Sequence, residues 1–348
     1  MDINDLFFEL PEELIAEKPP ISRESSRLLV VDRKQNNFSE KKFSEIVDYF
    51  NRNDLIVFNN TKVFKARLIG KTEQGKEIEL LLIEKIDGKK WKVMVKNSRK
   101  FKSGTNIYFE DIKALLLERI EEFRILEFNE EIEYEQINKI GLMPLPPYII
   151  SKRKKLGLSE YSKEDDERYQ SVMAKYYGSV AAPTASFHFS EKLIDSLKDK
   201  GVEFAFVTLH IGPGTFKPID GKIEDFKIHK EWFSVDEENI EKIKRAAIDK
   251  YKITAVGTTT VRTLETLGEF FNDIKNFNAY SAYTDLFIKE GFKFKVIDRL
   301  VTNFHLPYST LLLLVYAFAG KELIRNAYDF AIKQKFRFFS YGDAMFII

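Results

Sequence analysis

The chain changes its rhythm of apolar and polar residues near residue 145. Between about residues 55 and 135, apolar residues alternate with polar ones in short runs such as 78–83 and 123–128. Alternation with a period of two is typical of β-strands, and turn sequences such as Asp87-Gly88 separate the runs at hairpin spacing. We therefore predict a small antiparallel barrel or sandwich that ends near Pro144.

Beyond about residue 168 the pattern predicts strands that alternate with helices, which is typical of α/β folds. Helices are predicted at 168–177, 190–201, 236–250 and 261–271 with two more within 310–333, strands at 204–209, 253–256, 283–288, 296–301 and 336–339, and an exposed, mobile loop at 151–166. The predicted fold is an α/β (mixed α+β) catalytic domain of residues 1–60 and 145–348. A smaller all-β, barrel-like domain of residues 61–144 is inserted into it.

Composition excludes several kinds of chemistry. The 348 residues include no cysteine, which excludes disulfides, thiolate nucleophiles and cysteine metal sites and fits a reducing compartment. The N-terminus is acidic and lacks the basic and apolar regions of an export signal. The most apolar stretch, 311–319, is half the length that a membrane crossing needs. We expect a cytoplasmic monomer with no membrane contact.

The charged residues nearly balance, with 55 basic and 54 acidic side chains. Their distribution is uneven, since basic residues crowd positions 89–102 and again Lys152, Arg153, Lys154 and Lys155. A basic cluster suits nucleic-acid phosphates, but a solvated protein surface has the same composition. Both interpretations stay open for either cluster.

The chain has only four histidines, His188, His210, His229 and His305, and each lies among small, polar, glycine or proline residues. Imidazole is the side chain whose ordinary pKa lies nearest neutrality, so loop histidines suggest one composite site for proton transfer. A lone loop histidine is also commonly a hydrogen-bonded structural group. None of the four has the close spacing of metal ligands, so we expect no metal.

Two loops that follow predicted strands suit a ligand. Gly212 and Gly214 bracket a proline, which lets backbone amides approach a bound molecule, although a plain turn has the same sequence. The run 257–262 passes from a strand into a helix and ends at Arg262, which suits an anion, although ordinary helix capping also fits. Asp343, after a glycine, is suited to orient an imidazole, to face a cationic ligand or to cap a turn.

Five segments in this order, 178–189, 209–216, 256–266, 302–312 and 338–345, resemble the S-adenosylmethionine:tRNA ribosyltransferase-isomerase family of queuosine biosynthesis. The likeness extends to 8–16, 26–30, 59–68 and 145–149, so it covers nearly the whole chain. The sequence departs from the family pattern at Ser186-Phe187, Pro213, Thr260 and Phe226, where the family has Gly-Leu, alanine, serine and histidine.

The resemblance implies transfer of the ribosyl part of S-adenosylmethionine to 7-aminomethyl-7-deazaguanine at the wobble position of tRNA. The ribosyl group is rearranged to give epoxyqueuosine, and adenine and methionine leave, so S-adenosylmethionine is a consumed cosubstrate. A base must remove a proton from the 5′ carbon, and adenine needs a proton donor. We assign His188 and His210 as the acid/base pair and His305 as an orienting or donating group. Asp343 is the carboxylate, and His229 comes last because Phe226 replaces a family histidine.

The same resemblance guides the binding residues. We expect Gly212, Gly214 and Thr215 to line the nucleoside. The methionine carboxylate is assigned to Thr258, Thr259 and Arg262. The residues assigned to tRNA are Phe187, Phe189 and Tyr341 for the wobble base and Arg27, Lys62, Arg67, Lys152, Arg153, Lys154 and Lys155 for phosphates.

Two rival functions use the same features. A catalytically silent RNA-binding protein would keep the tRNA contacts and release no adenine. A methyltransferase would turn the same cosubstrate into S-adenosylhomocysteine, but its glycine-rich loop before a helix is absent from the sequence.

Overall fold

The computed structural model describes residues 2–269 and 279–348 and contains a large mixed sheet and a closed barrel. In chain order the strands are β1 (Arg27–Asp32), β2 (Asn37–Lys42), β3 (Leu55–Asn59), β4 (Thr61–Val63), β5 (Arg67–Thr72), β6 (Glu77–Lys85), β7 (Lys90–Val95), β8 (Thr105–Phe109), β9 (Ile112–Ile120), β10 (Phe123–Phe128), β11 (Tyr176–Ser179), β12 (Glu203–Leu209), β13 (Glu231–Val235), β14 (Ile253–Val256), β15 (Tyr280–Thr284), β16 (Arg299–Asn303) and β17 (Ala344–Ile347).

Helices cover both faces of the large sheet. The α-helices are α1 (Tyr134–Ile140), α2 (Pro147–Lys155), α3 (Lys163–Arg168), α4 (Glu191–Asp199), α5 (Glu237–Ile248), α6 (Thr258–Gly268), α7 (Thr310–Ala319) and α8 (Lys321–Lys333). Short 3-10 helices lie at Ile3–Leu6, Glu12–Leu14, Arg23–Ser25, Phe43–Tyr49, Ser98–Lys100, Thr184–His188, Pro213–Phe216 and Ile223–Asp225.

The large sheet has the strand order β15-β13-β12-β3-β14-β16-β17-β1-β2. Its four neighbouring strands β12, β3, β14 and β16 run parallel, so their carboxyl ends meet at one edge. Every residue of β3 is buried, as expected of a strand with helices over both faces. Ligands of open α/β sheets bind beyond such a carboxyl edge, which places the search for a site there.

Alternation along the strands sends side chains into two cores. From β12, Ala205 and Val207 pack with α5 to α8 on one face, whereas Phe204 and Phe206 pack towards α4 on the other. Helix α4 begins where predicted, since the Ser190 hydroxyl accepts from the Leu193 amide at 3.1 Å.

The inserted strands β5 to β10 form a closed antiparallel barrel in the order β10-β7-β6-β5-β8-β9. Residues such as Leu80, Leu82, Trp91 and Val93 point inward and are buried, while their neighbours face outward. The predicted fold class, mixed α/β with a small barrel, is confirmed. The exact domain limits, 1–60 with 145–348 and 61–144, stay a prediction.

Several predicted elements were wrong. Residues 168–177 are not one helix, because α3 ends at Arg168 and β11 begins at Tyr176. The segment 151–166 is largely helical in α2 and α3. The last strand is β17 at Ala344–Ile347, not 336–339, because it pairs with the distant strands β16 and β1.

Three further predictions need adjustment. Residues 55–58 belong to the large sheet as β3 and not to the barrel rhythm. Strand β15 ends at Thr284, so 285–288 is not strand. The predicted end of the helix 261–271 lies outside the described residues.

Within 2–269 and 279–348, no helix is long and apolar enough to cross a membrane.

Candidate active site

A crevice lies beyond the carboxyl ends of the parallel strands. Its outer part, about 640 Å³, is bounded by the Gly212–Thr215 loop and Arg262 on one side and by barrel residues such as Lys92 and Phe123 on the other. A smaller inner pocket of about 80 Å³ lies among the loops after β14 and β16. Thr215 and Leu311 line both spaces, so the two adjoin. The outer volume falls in the range of small-molecule sites.

The glycine loop after β12 is held in place by β13 and the segment before it. The Gly212 amide donates to Glu231 Oε1 at 3.0 Å. A Cβ added at Gly214 would lie 2.6 Å from Cδ2 of His229, so only glycine fits against that ring without movement. The loop and His229 therefore meet in the crevice, and the roles assigned to them stay predictions.

Arg262 is occupied by protein groups. It forms a buried ion pair with Glu231, and it donates to the carbonyls of Leu286 at 3.1 Å and Thr284 at 3.4 Å. A guanidinium that is almost fully buried needs an anion beside it, and Glu231 supplies that charge. Arg262 lines the outer crevice with its guanidinium occupied by protein groups, which does not favour its assignment to the methionine carboxylate, and that assignment stays a prediction. Sequence analysis missed Glu231, although it stands two residues after His229.

The start of α6 faces the inner pocket. Gly257 precedes it with a φ of +89°, and no side chain caps the helix there. Thr258 and Thr259 line the pocket, and Thr259 Oγ1 accepts from the Asn59 amide group at 3.2 Å. Uncapped amides at a helix start favour an anion. Thr258 and Thr259 thus line a pocket with an uncapped helix start, and their assignment to the methionine carboxylate stays a prediction.

His305 lines the inner pocket. Its Nε2 lies 2.8 Å from Thr302 Oγ1, and its backbone amide donates to the Tyr328 hydroxyl at 2.9 Å. Burial lowers the pKa of His305 to about 3, because the charged form loses its hydration. The ring is therefore neutral near pH 7.

His188 lies behind the inner pocket and does not line it. Its Nε2 accepts from the Asn303 side-chain amide at 3.2 Å, so Nδ1 carries the proton and donates to Ser26 Oγ at 2.9 Å. Burial, with Arg23 and Arg337 nearby, lowers its pKa to about 3. Because both ring nitrogens are occupied inside the protein, His188 does not have the free nitrogen that an acid/base partner needs. Asn303, which sequence analysis did not single out, lines the pocket in its place.

His210 lies on the reverse face of the sheet. Its Nδ1 is 2.9 Å from Thr61 Oγ1, and its ring stacks on Trp232 with centroids 4.9 Å apart. Burial lowers its pKa to about 4. It lines a separate groove with Tyr177 and not the crevice.

The structure therefore does not gather the four imidazoles in one cavity. His305 and His229 line the two connected parts of the crevice. The Asn303 side chain lies between His188 and the inner pocket, and His210 lies on the opposite face of the sheet. Strand alternation explains the last case, since Leu209 and His210 point to opposite faces.

Asp343 does not orient an imidazole. Its carboxylate accepts from the backbone amides of Arg27 at 2.9 Å and Arg337 at 2.7 Å, which ties the C-terminal turn to β1. Burial raises its pKa, partly offset by these two amides. The turn-capping interpretation describes the observed contacts, which do not favour the assignment to a histidine or a sulfonium, and that assignment stays a prediction.

The aromatic residues assigned to the wobble base are interior. Phe189 packs against Phe43 and Phe58, and Phe187 packs against Tyr341. All three assigned rings, Phe187, Phe189 and Tyr341, are buried, so none offers an open stacking face. That assignment is corrected, because these apolar runs fill the core beneath the loop.

Most of the basic side chains assigned to tRNA phosphates already form ion pairs within the protein. The pairs are Arg27 with Glu40, Arg67 with Glu79 and Glu160, Lys152 with Glu17, Arg153 with Asp165, Lys154 with Glu160 and Lys155 with Glu12. The Arg153 pair is buried, so it is structural. Within the described chain, Lys62 is the one member of this set without an ion pair, and its Nζ lies 4.5 Å from the Tyr177 ring centroid. The basic run at 152–155 is thus mainly a neutralised surface.

Acidic residues and histidines do not cluster as metal ligands. No group of three or more His, Asp or Glu side chains that could hold a metal ion occurs in the parts of the chain that the structure describes.

The fold and the crevice define a class of protein. A mixed α/β sheet with a crevice of ligand size at the carboxyl edge, a glycine loop on one wall and an open helix start on another is the site of an enzyme for an anion-bearing small molecule.

Comparison with known proteins then gives the family. The family model described as "Queuosine biosynthesis protein" matches residues 3–347. Two curated relatives, both called S-adenosylmethionine:tRNA ribosyltransferase-isomerase, cover 100% of each chain: one from Acetivibrio thermocellus at 44% identity and one from Thermosipho melanesiensis at 46%. A crystal structure of S-adenosylmethionine tRNA ribosyltransferase from Thermotoga maritima matches with a TM-score of 0.56 and 37% identity, over 99% of this chain and 100% of that one. This chain belongs to the queuosine biosynthesis family, and the resemblance seen in the sequence is confirmed.

Proposed function

We propose that this protein is an enzyme that transfers and isomerises the ribosyl part of S-adenosylmethionine onto 7-aminomethyl-7-deazaguanine at the tRNA wobble position. The products are epoxyqueuosine in tRNA, free adenine and methionine. The observation that carries the proposal is the likeness, along the entire length of both chains, to enzymes named for this reaction. We propose further that it acts as a cytoplasmic monomer, which light scattering of the purified protein tests.

The crevice suits the two ends of the cosubstrate. The methionine carboxylate would bind the uncapped start of α6 at Thr258 and Thr259, where helix amides supply partial positive charge. The nucleoside would lie along Gly212, Gly214 and Thr215 in the larger outer space. Since Thr215 lines both spaces, the sulfonium and the 5′ carbon would lie close to it.

Proton transfer is assigned to the imidazoles that line this crevice. The sulfonium acidifies the 5′ carbon, and an unprotonated imidazole accepts that proton best when its pKa lies near the working pH. Burial lowers the pKa of His305 in the inner pocket to about 3, so its ring is neutral but a weak base, and we assign it to orient or donate to the reacting groups. His229 lies beside the glycine loop, and its half-exposed side chain is open to water. We therefore assign His305 and His229 in place of the pair His188 and His210.

The test is a product analysis with tRNA that carries 7-aminomethyl-7-deazaguanine. The proposal predicts adenine and methionine in equal amounts and an added mass on the wobble nucleoside. S-Adenosylhomocysteine as the product would establish a methyltransferase. Binding of tRNA without any adenine release would establish the silent RNA-binding alternative. His305→Gln and His229→Gln are each expected to lower single-turnover adenine release at least about 100-fold, the usual contribution of a general acid or base.

A further inference from the structure

The strands that carry the crevice wall present aromatic side chains on their other face. In β13, Glu231 points into the crevice and the next residue, Trp232, points away from it. Trp232 lies directly opposite Tyr283 of β15 in the antiparallel register, so both rings share one face. Tyr283 is 57% exposed. Trp232 is partly exposed, and the Tyr283 hydroxyl lies 3.5 Å from Glu84 Oε1 of the barrel, so the ring of Tyr283 is the more open of the two.

A groove of about 330 Å³ extends this face past the end of β12. Trp232 and His210 stack there at an interplanar angle of 25°. Tyr176 and Tyr177 of β11 line the other side, and Tyr176 is 45% exposed. We call the set Tyr176, Tyr177, His210, Trp232 and Tyr283 the aromatic rim.

The two lysines beside the aromatic rim lie over its rings. Lys62 Nζ lies 4.5 Å from the Tyr177 ring centroid, and Lys175 Nζ lies 4.9 Å from that of Tyr176. Within the described residues, neither lysine forms an ion pair with a carboxylate, unlike the basic run at 152–155. Among the described residues that line the groove, Asp236 is the carboxylate, and it accepts from the Asn239 amide at the start of α5 at 2.9 Å. A hydrogen bond with Tyr176 raises the pKa of Lys175, and the charges of Asp236 and Glu238 raise it further.

Exposed rings beside lysines that form no ion pair in the described residues suit single-stranded RNA. Unpaired bases stack on aromatic faces, and their phosphates attract lysines. Tyr177 is already stacked on Tyr134 with centroids 5.3 Å apart, so the exposed rings of the rim are Tyr176 and Tyr283. A duplex hides its base faces and cannot stack on them. The chemistry of the rim thus selects unpaired nucleotides.

We propose that the aromatic rim binds unpaired anticodon-loop bases of the tRNA substrate by stacking, with Lys62 and Lys175 at the adjoining phosphates. The proposal rests on the proposed function and adds the protein surface that holds the anticodon loop. The rim and the crevice meet at consecutive residues, since His210 lines the groove while Ile211 and Gly212 line the inner pocket and the outer crevice. Bases beside the wobble position stack on the rim while the wobble base turns over this edge into the crevice.

Intrinsic tryptophan fluorescence can report on binding at the aromatic rim. It has two tryptophans, and the other one, Trp91, is fully buried inside the barrel. A Trp91→Phe variant therefore reports on Trp232 alone. We expect a 17-nucleotide anticodon stem-loop to quench this fluorescence saturably, with the same Kd that filter binding gives. A blunt duplex of the same stem should not quench it. Stacking predicts a KM for tRNA at least about fivefold higher in Tyr283→Ala and Tyr176→Ala, with the KM for S-adenosylmethionine unchanged.

The control variant is Tyr108→Ala, which removes a partly exposed ring of the barrel outside both spaces and should leave tRNA binding intact. Unquenched Trp232 fluorescence while filter binding detects the stem-loop would overturn the rim proposal and leave the proposed function standing. Equal quenching by duplex and loop would also overturn it. If neither method detects any RNA binding and no adenine is released, both proposals fall together.

Discussion

Replacing Glu231 by alanine tests the ion pair that organises the crevice. The Arg262 and Glu231 side chains are only 7% and 9% exposed, so the change leaves a buried guanidinium with carbonyl partners alone. Breaking a buried pair from one side costs about 3–5 kcal/mol, and the carbonyls of Leu286 and Thr284 offset part of it. The Gly212 amide also loses its acceptor, which costs roughly 1 kcal/mol. We expect the free energy of unfolding to fall by about 3–4 kcal/mol.

Urea denaturation followed by circular dichroism measures this change, and a double variant provides the control. Glu231→Leu combined with Arg262→Met removes both charges and should recover much of the loss, because no buried charge is left unpaired. Glu231→Gln keeps an acceptor for Gly212 and should lie between. A loss below about 1 kcal/mol in Glu231→Ala, together with a weaker affinity for S-adenosylmethionine in Arg262→Met and no loss of stability, would refute the structural role. Arg262 would then hold the cosubstrate.

Three further predictions follow from burial, space and charge. Burial lowers the pKa of His188 to about 3 in the folded chain, against about 6.5 unfolded, so the unfolded chain binds the extra proton and stability falls as pH drops below about 6.5, by up to about 1.4 kcal/mol per pH unit for this group. His305 and His210 contribute in the same direction, so His188→Asn should reduce, without abolishing, the fall of the urea midpoint between pH 6 and 4.5, and an unchanged slope would contradict this. Gly214→Ala pushes against the His229 ring and should raise the KM for S-adenosylmethionine about tenfold with little change in stability, whereas an unchanged KM would place the cosubstrate elsewhere. Lys62→Gln should weaken tRNA binding and reduce its salt slope by about 0.7–0.9, while Lys154→Gln, already paired with an acid, should do neither.

The barrel was predictable because its information is local. Most neighbouring barrel strands are joined by short turns, and alternation in β6 and β7 shows which side faces inward. The C-terminal strand was not predictable in this way. Its partners β16 and β1 lie far away in the sequence, so the apolar run at 336–339 gave a stronger local signal than β17 itself.

The candidate site was also predictable only where its signal is local in the sequence. The glycine loop and the start of α6 were found because strand, turn and helix signals identify them locally. The ion pair of Arg262 on α6 was not predictable, because its partner Glu231 lies 31 residues away in the sequence, on strand β13. His188 looked like a loop histidine, yet its ring is enclosed by Phe43 and Ser26 from the N-terminal segment. Residue type gave the candidates, and only tertiary contacts separated open side chains from occupied ones.

The most direct test of the account is a crystal structure with a non-reactive S-adenosylmethionine analogue. We predict its carboxylate at the amides of Thr258 and Thr259, its adenine along the Gly212–Thr215 loop, and His305 and His229 as the imidazoles nearest the 5′ carbon. An analogue bound in the groove beside His210, or one whose carboxylate is held by Arg262 after Glu231 has moved away, would contradict the account.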